Sequence, residues 1–142
     1  MTALTAVFQD LVRVEIRLWN ALDARLRTEL GLTLTFYELL DILEETGSCR
    51  VADLAESLAV TSSGTSRIID RMEGEGLVRR AANAADRRSS LIDVTTRGRR
   101  KHDEAAAVVE AVLAEFILPH LDAPSIRGLG TALEALREAT AG

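Results

Sequence analysis

Five hydroxyl side chains fall within six residues, Thr61, Ser62, Ser63, Thr65 and Ser66, with Gly64 among them and Arg67 next. Hydroxyls donate to phosphate oxygens and base edges, a glycine lets backbone approach closely, and a guanidinium matches the paired acceptors of guanine. At helical spacing Ser63, Arg67, Asp70 and Arg71 share one side, while Ile68, Ile69 and Met72 take the opposite one. A helix held to a body by one face and presented to a groove by the other needs that division. The same hydroxyls could serve only as a helix cap. A second cluster, Asp86-Arg87-Arg88, favours contact with a nucleic acid. Arg88 suits a minor groove, whose negative potential attracts guanidinium. Asp86 suits the shaping of the tip, by accepting hydrogen bonds from a nearby arginine or from loop amides.

These residues need elements to position them. The apolar period of Leu4, Val7, Phe8, Leu11, Leu18, Leu22, Leu26 and Leu30 predicts one long helix over 4–30, ended by Gly31. Thr33 or Thr35 can cap a second helix over 34–45, which Gly47 ends. Arg50-Val51 can add a very short strand. A short helix over 51–58, a turn at Ala59-Val60-Thr61 and a helix from Ser62 to about Gly74 follow. Leu77–Ala82 and Ser90–Thr95 are β-compatible and enclose a polar loop, so they predict a hairpin. Helix, tight turn, helix and hairpin in that order describe a winged helix-turn-helix, which puts one helix in a major groove and a loop beside it. Helices over 96–118 and from an Asp122 cap onward close the chain, with Pro119 between them. The fold class is therefore mainly α with a small β-hairpin wing.

Charge supports this reading once its distribution is considered. The whole chain of 142 residues carries −5, which by itself argues against DNA. Between Ser62 and Lys101, however, ten basic residues face five acidic ones, so that span is +5 and the remainder −10. A basic centre between acidic flanks fits a protein that offers phosphates one face only. The chain is long enough for one sizeable core, no apolar run approaches a membrane span, and Met1-Thr2-Ala3-Leu4 does not open a signal peptide. A cytoplasmic location is the expectation. The single cysteine, Cys49, excludes an intrachain disulfide framework and a cysteine-based zinc site. Its neighbour Arg50 could favour a thiolate, although a plain small residue is the default. His102 and His120 have no metal-binding spacing, and no phosphate loop, nucleophile elbow or catalytic carboxylate pair stands out. Neither an enzyme nor a cofactor is expected.

The segment from Asn83 to Gly98, NAADRRSSLIDVTTRG, resembles the wing signature of the MarR family of bacterial transcriptional regulators, and Leu77-Val78-Arg79-Arg80 matches the strand that precedes it. The similarity covers nearly the whole chain. Asn83-Ala84 stands where the family often has Asp-Pro, which predicts a looser first half of the wing, and Val94-Thr95 replaces Leu-Thr. The resemblance implies a homodimer on a pseudo-palindromic operator, regulated by a small-molecule effector or, less often, by cysteine oxidation. The family's peroxide sensors carry their cysteine near the start of the first helix, where this chain has none. One domain, 1–142, is implied, with 34–95 binding double-stranded DNA and 1–30 and 96–142 dimerising. The residues support a dimer separately: Leu4, Val7, Leu11, Ile117, Leu121, Leu129, Leu133 and Leu136 exceed what a small winged module can cover.

The expected DNA-binding residues are Thr61, Ser62, Ser63 and Thr65 on phosphates with the hairpin residue Arg87, Ser66, Arg67 and Arg71 on bases, Arg88 in the minor groove, and Asp86 shaping the tip that presents it. An effector pocket in the family's arrangement would draw on Trp19, Phe36, Tyr37, Leu40 and His102, each of which could equally be core or interface. The alternative to a repressor is a helical protein-interaction module whose winged part binds no DNA.

Overall fold

The computed structural model describes residues 2–58 and 62–141. Its elements are α1 (Ala3–Leu30), α2 (Leu34–Thr46), β1 (Cys49–Arg50), α3 (Val51–Leu58), α4 (Ser62–Gly74), β2 (Val78–Ala82), β3 (Ser90–Val94), α5 (Thr96–Ile117) and α6 (Ala123–Thr140). The predicted turn at Ala59-Val60-Thr61 lies outside the described residues, as does the side chain of Ser62.

Local chemistry sets the boundaries. Thr2, Thr33, Thr95 and Asp122 each sit in extended backbone and accept a hydrogen bond from an amide three residues on, satisfying donors that a helix start leaves open. Gly31 ends α1 in the left-handed region at φ 62°, where its N–H still reaches Arg27 and Leu26 carbonyls. The short strand expected at Arg50-Val51 is one residue earlier, because Val51 already begins α3. Leu118 caps α5, so that helix stops just ahead of Pro119.

The sheet is antiparallel in the order β1-β3-β2, with Arg80 opposite Ile92 and Cys49 opposite Ile92 from the other side. One face of that sheet closes a single core. Leu26 from α1, Leu39 and Leu40 from α2, Leu54 from α3, Ile69 and Met72 from α4 and Ile92 from β3 are all fully buried within it. Each such side chain contributes about 1.5–3 kcal/mol through burial, so the recognition helix is held by the same core as the rest of the winged module. The Asp23 carboxylate adds a long-range tie, accepting the Leu34 N–H at 2.9 Å and pairing with Arg27 at 2.7 Å.

The two ends of the chain are different. In α1 only Leu26 is buried, and in α6 no residue is. Leu4, Phe8, Val12, Ile16, Leu118, Leu129 and Leu136 are all exposed. An apolar surface of that extent on paired long helices is characteristic of an unpartnered interface. Among the described residues no helix is long and apolar enough to cross a membrane.

The winged module joins the α5 strut at Gly98. The Thr95 hydroxyl donates to the carbonyls of Gly76 (2.5 Å) and Leu77 (3.1 Å), and the Gly98 N–H donates back to that hydroxyl at 3.0 Å. A Cβ on Gly98 would lie 2.0 Å from the Leu77 carbonyl oxygen. Only glycine permits this approach of helix to strand.

Candidate nucleic-acid interface

The recognition helix α4 divides as its sequence requires, with one exception. Ile69 and Met72 are buried and Ile68 is half-buried, while Ser63, Arg67, Asp70 and Arg71 are exposed. The exception is Thr65, which is 0 % exposed. Its side chain faces inward with Ile69 and Met72, four and seven residues on, so the expected phosphate contact is not the role this hydroxyl serves here. That spacing was present in the sequence; the hydroxyl type obscured it. Thr61 lies outside the described residues, and Ser62 starts α4 with its side chain outside them.

The wing tip is built by its own side chains. Asp86 Oδ1 accepts the Arg88 N–H at 3.0 Å, and its carbonyl accepts the Ser89 N–H at 3.3 Å. Asn83 corrects the expectation of a loose first half. Its Oδ1 accepts the Ala85 N–H at 3.1 Å, an Asx-turn, while its amide donates to the Ser89 hydroxyl at 3.1 Å across the loop. Polar bridging therefore replaces the rigidity of a proline. Arg87 and Arg88 are exposed and form no ion pair among the described residues.

Arg80 is the residue that sequence reasoning missed. It leaves β2 and reaches α4, where its guanidinium pairs with Asp70, lies 3.5 Å from Glu73 and 3.4 Å from both the Ser66 carbonyl and hydroxyl oxygens. Its backbone N–H also donates to Glu73 at 2.9 Å. One side chain thus fixes the angle between recognition helix and wing and neutralises carboxylates that would otherwise repel phosphate. A strand arginine ten residues after Asp70 carries no periodic signal of such a pairing. Arg71 also differs from expectation: its guanidinium lies over the Phe36 ring, 5.4 Å from the centroid, so its resting position is against the body.

Helix and wing meet at a cleft of about 330 Å³ whose lining includes Ser66 from α4, Arg80 from β2, Arg88, Ser89 and Ser90 from the wing, and Arg50 ahead of α3. The structure therefore brings Ser66 and Arg88, singled out separately, onto one concave basic surface. Other cations of the basic span are used internally. Arg79 pairs with Asp93 at 3.0 Å, Arg99 with Glu44 at 3.3 Å, and Lys101 donates to the Leu30 carbonyl at 3.1 Å. Arg50 is engaged by Asp53 at 3.0 Å, which leaves Cys49 without the cation expected to favour its thiolate. Burial pushes the Cys49 thiol up, a Thr46 hydrogen bond opposes this, and Asp53 adds to the rise.

The five residues expected at an effector pocket do not converge. Phe36 and Leu40 are core residues, buried with Leu39 and Leu43. Tyr37 and His102 stack on each other, ring centroids 5.5 Å apart, and His102 Nε2 lies 2.8 Å from Asp41. Of the five, only Trp19 lines the large groove, about 660 Å³, that opens between α1, the start of α2, the end of α5 and the middle of α6. Burial decided the outcome: apolar type alone does not distinguish the core from the wall of a groove.

Comparison with known proteins agrees with this geometry. The model of the MarR family matches residues 32–90, which run from just before α2 to the first residue of β3. The transcriptional repressor Rv2887 of Mycobacterium tuberculosis is 35% identical over 107 residues, 75% of this chain and 76% of the relative. Sco3205 of Streptomyces coelicolor, a MarR family regulator solved in complex with DNA, superposes with TM-score 0.87 over 98% of this chain and 89% of its own at 24% identity, which speaks for the fold. CouR of Rhodococcus jostii RHA1, solved with p-coumaroyl-CoA bound, reaches TM-score 0.78 at 26% identity over 89% of this chain and 87% of its own. With a relative 35% identical over three quarters of both chains and the family model matching the winged module, this chain belongs to the MarR family of transcriptional regulators.

Proposed function

We propose that the chain acts as a homodimeric, sequence-specific DNA-binding repressor, released from its operator by a small-molecule effector. The observation that carries this reading is the shared concave surface of α4 and the wing, where Ser66 and Arg88 line one basic cleft and Arg67 stands exposed on α4. On that surface Arg67 and Ser66 read bases, Ser63, Arg87 and the wing serines position the duplex through phosphates, and Arg88 enters the minor groove. Asp86 acts indirectly, by holding the tip. The domain works as one unit over 1–142, with 34–95 contacting DNA.

The dimer follows from α1 and α6, whose exposed leucines need a partner and whose pairing would set two recognition helices on one duplex. The repressor name of Rv2887 and the ligand held by CouR support the sign of regulation and the effector. An effector acts by favouring one spacing of the two α4 helices; equal affinity for both spacings would shift nothing. No catalytic step is assigned to the chain.

The test is the salt dependence of duplex binding by the full chain. A protein neutralising about six to ten phosphates loses roughly 10³–10⁵ in affinity between 50 and 200 mM salt. Steep loss with sequence preference supports the reading. Absence of duplex affinity at low salt would assign the winged module to protein contacts instead.

A further inference from the structure

The cleft between α4 and the wing includes an arginine that neither of them supplies. Arg50 ends β1 and directly precedes α3, and it lines the cleft together with Arg80 and Arg88. Ser66, Ser89 and Ser90 add hydroxyls, and no carboxylate lines the cleft among the described residues. Cationic and hydroxyl side chains around one concave space favour an anion within it.

Local structure alone does not call for an arginine at this place. A residue that opens a helix stabilises it best when its side chain accepts hydrogen bonds, and a cation there opposes the helix dipole. The Arg50 side chain only donates, and it carries that charge. Asp53 offsets the mismatch. Its Oδ2 accepts the Arg50 backbone N–H at 3.1 Å, and its two oxygens accept from Nε at 3.2 Å and Nη2 at 3.0 Å. This grip uses two of the five guanidinium N–H groups and fixes the plane of the others. The others meet no acceptor among the described residues, and the side chain is half exposed. The Asp53 hydrogen bonds first, and then the Asp53 charge, hold Arg50 above its ordinary range; burial opposes them, and the Asp86 charge on the wing tip adds to them. Arg50 is therefore a fixed cation within the field of the wing.

We infer that Arg50 is a DNA-contact residue, seating one backbone phosphate of the duplex at the mouth of the cleft with the hydroxyls of Ser89 and Ser90. This rests on the DNA-binding reading above and adds to it a contact from ahead of α3. The minor groove is only about 6 Å wide, so an Arg88 side chain inside it has a phosphate strand alongside. Arg50 lies across the same cleft from Arg88 and meets that strand. Arg80 is committed to Asp70, Glu73 and Ser66 on α4, which leaves Arg50 as the cation for the phosphate. A phosphate held between β1 and the wing fixes the register of α4 in its groove without reading sequence.

The test compares full-length wild type with Arg50→Met on the duplex that the wild type selects from a random-sequence pool. A lost phosphate contact lowers the slope of log affinity against log salt by about 0.9 per protomer. Expected is that fall, with affinity reduced about fivefold or more at about 100 mM salt and by the same factor on a scrambled duplex. Arg50→Lys keeps the charge and should keep the slope. Arg50→Met also uncovers Asp53, so the double variant Arg50→Met/Asp53→Asn separates the two effects, and the fall in slope should persist in it. A single methylphosphonate, placed in turn at each phosphate of one half-site, should find one position that weakens wild type and leaves Arg50→Met unweakened. Arg50→Gln takes the place of Arg50→Met should that variant fold poorly. An unmoved slope, a loss confined to the selected sequence, a loss that the double variant abolishes, or no methylphosphonate position of that kind would each overturn the inference. Wild type that binds no duplex at low salt would remove the DNA-binding reading and this contact with it. Wild-type binding with an unmoved slope in Arg50→Met removes the contact alone.

Discussion

Replacing Gly98 by alanine adds one methyl group at the joint between wing and α5. That methyl would lie 2.0 Å from the Leu77 carbonyl oxygen and 2.8 Å from a Val94 methyl. Ordinary contact starts near 3.4 Å, so α5 must retreat by more than an ångström. The retreat strains or breaks the Thr95 bonds to Gly76 and Leu77 and the Gly98 cap bond. A lost cap costs about 1 kcal/mol, a lost hydrogen bond about 1 kcal/mol, and overpacking about 1–3 kcal/mol. Together these predict a loss of about 3–5 kcal/mol. Urea unfolding at one fixed protein concentration measures it, since a dimer's stability depends on concentration. Gly74→Ala serves as the comparison, because a Cβ there meets nothing within 4 Å. It should be neutral or stabilise by up to about 1 kcal/mol. A Gly98→Ala loss below about 1 kcal/mol would refute the close-approach reasoning.

Three further substitutions test the interface. Arg80→Met should lower duplex affinity by about tenfold or more, since it frees α4 from the wing and uncovers Asp70 and Glu73. Arg79→Met breaks only a cross-strand pair with Asp93 and should cost much less, so equal effects would deny Arg80 its positioning role. Arg88→Ala should leave stability within about 0.5 kcal/mol, reduce the salt slope by about one per protomer, and weaken binding most on narrow, A·T-rich flanks; a change in unfolding midpoint as large as that of Gly98→Ala would contradict its solvent-facing role. Because burial keeps the Cys49 thiol up, little thiolate exists near pH 7, and peroxide should change duplex affinity less than twofold. A loss of binding that thiol reverses and Cys49→Ser prevents would restore a redox role.

The legible features were local. Helical period, threonine and aspartate caps and the glycine at 31 placed the helices to within a residue or two. The wing showed as two β-compatible runs around a polar loop, and its Asp86 bracing follows from residue type. Features that depend on distant partners stayed hidden. Nothing in the sequence joins Arg80 to Asp70, Asp23 to the Leu34 amide or Lys101 to the Leu30 carbonyl, because each pairing exists only after the core has formed. Phe36 and Tyr37 are adjacent in sequence, yet one fills the core and the other stacks on His102. Trp19 and Leu34, fifteen positions apart, line one groove only because α1 packs beside the start of α2.

The most direct test of paired recognition helices is selection of bound duplexes from a random-sequence pool by the full-length protein. Two α4 helices on one face should enrich an inverted repeat whose half-site centres lie about 10 base pairs, one helical turn, apart. A direct repeat, a lone half-site or an unenriched pool would contradict that arrangement.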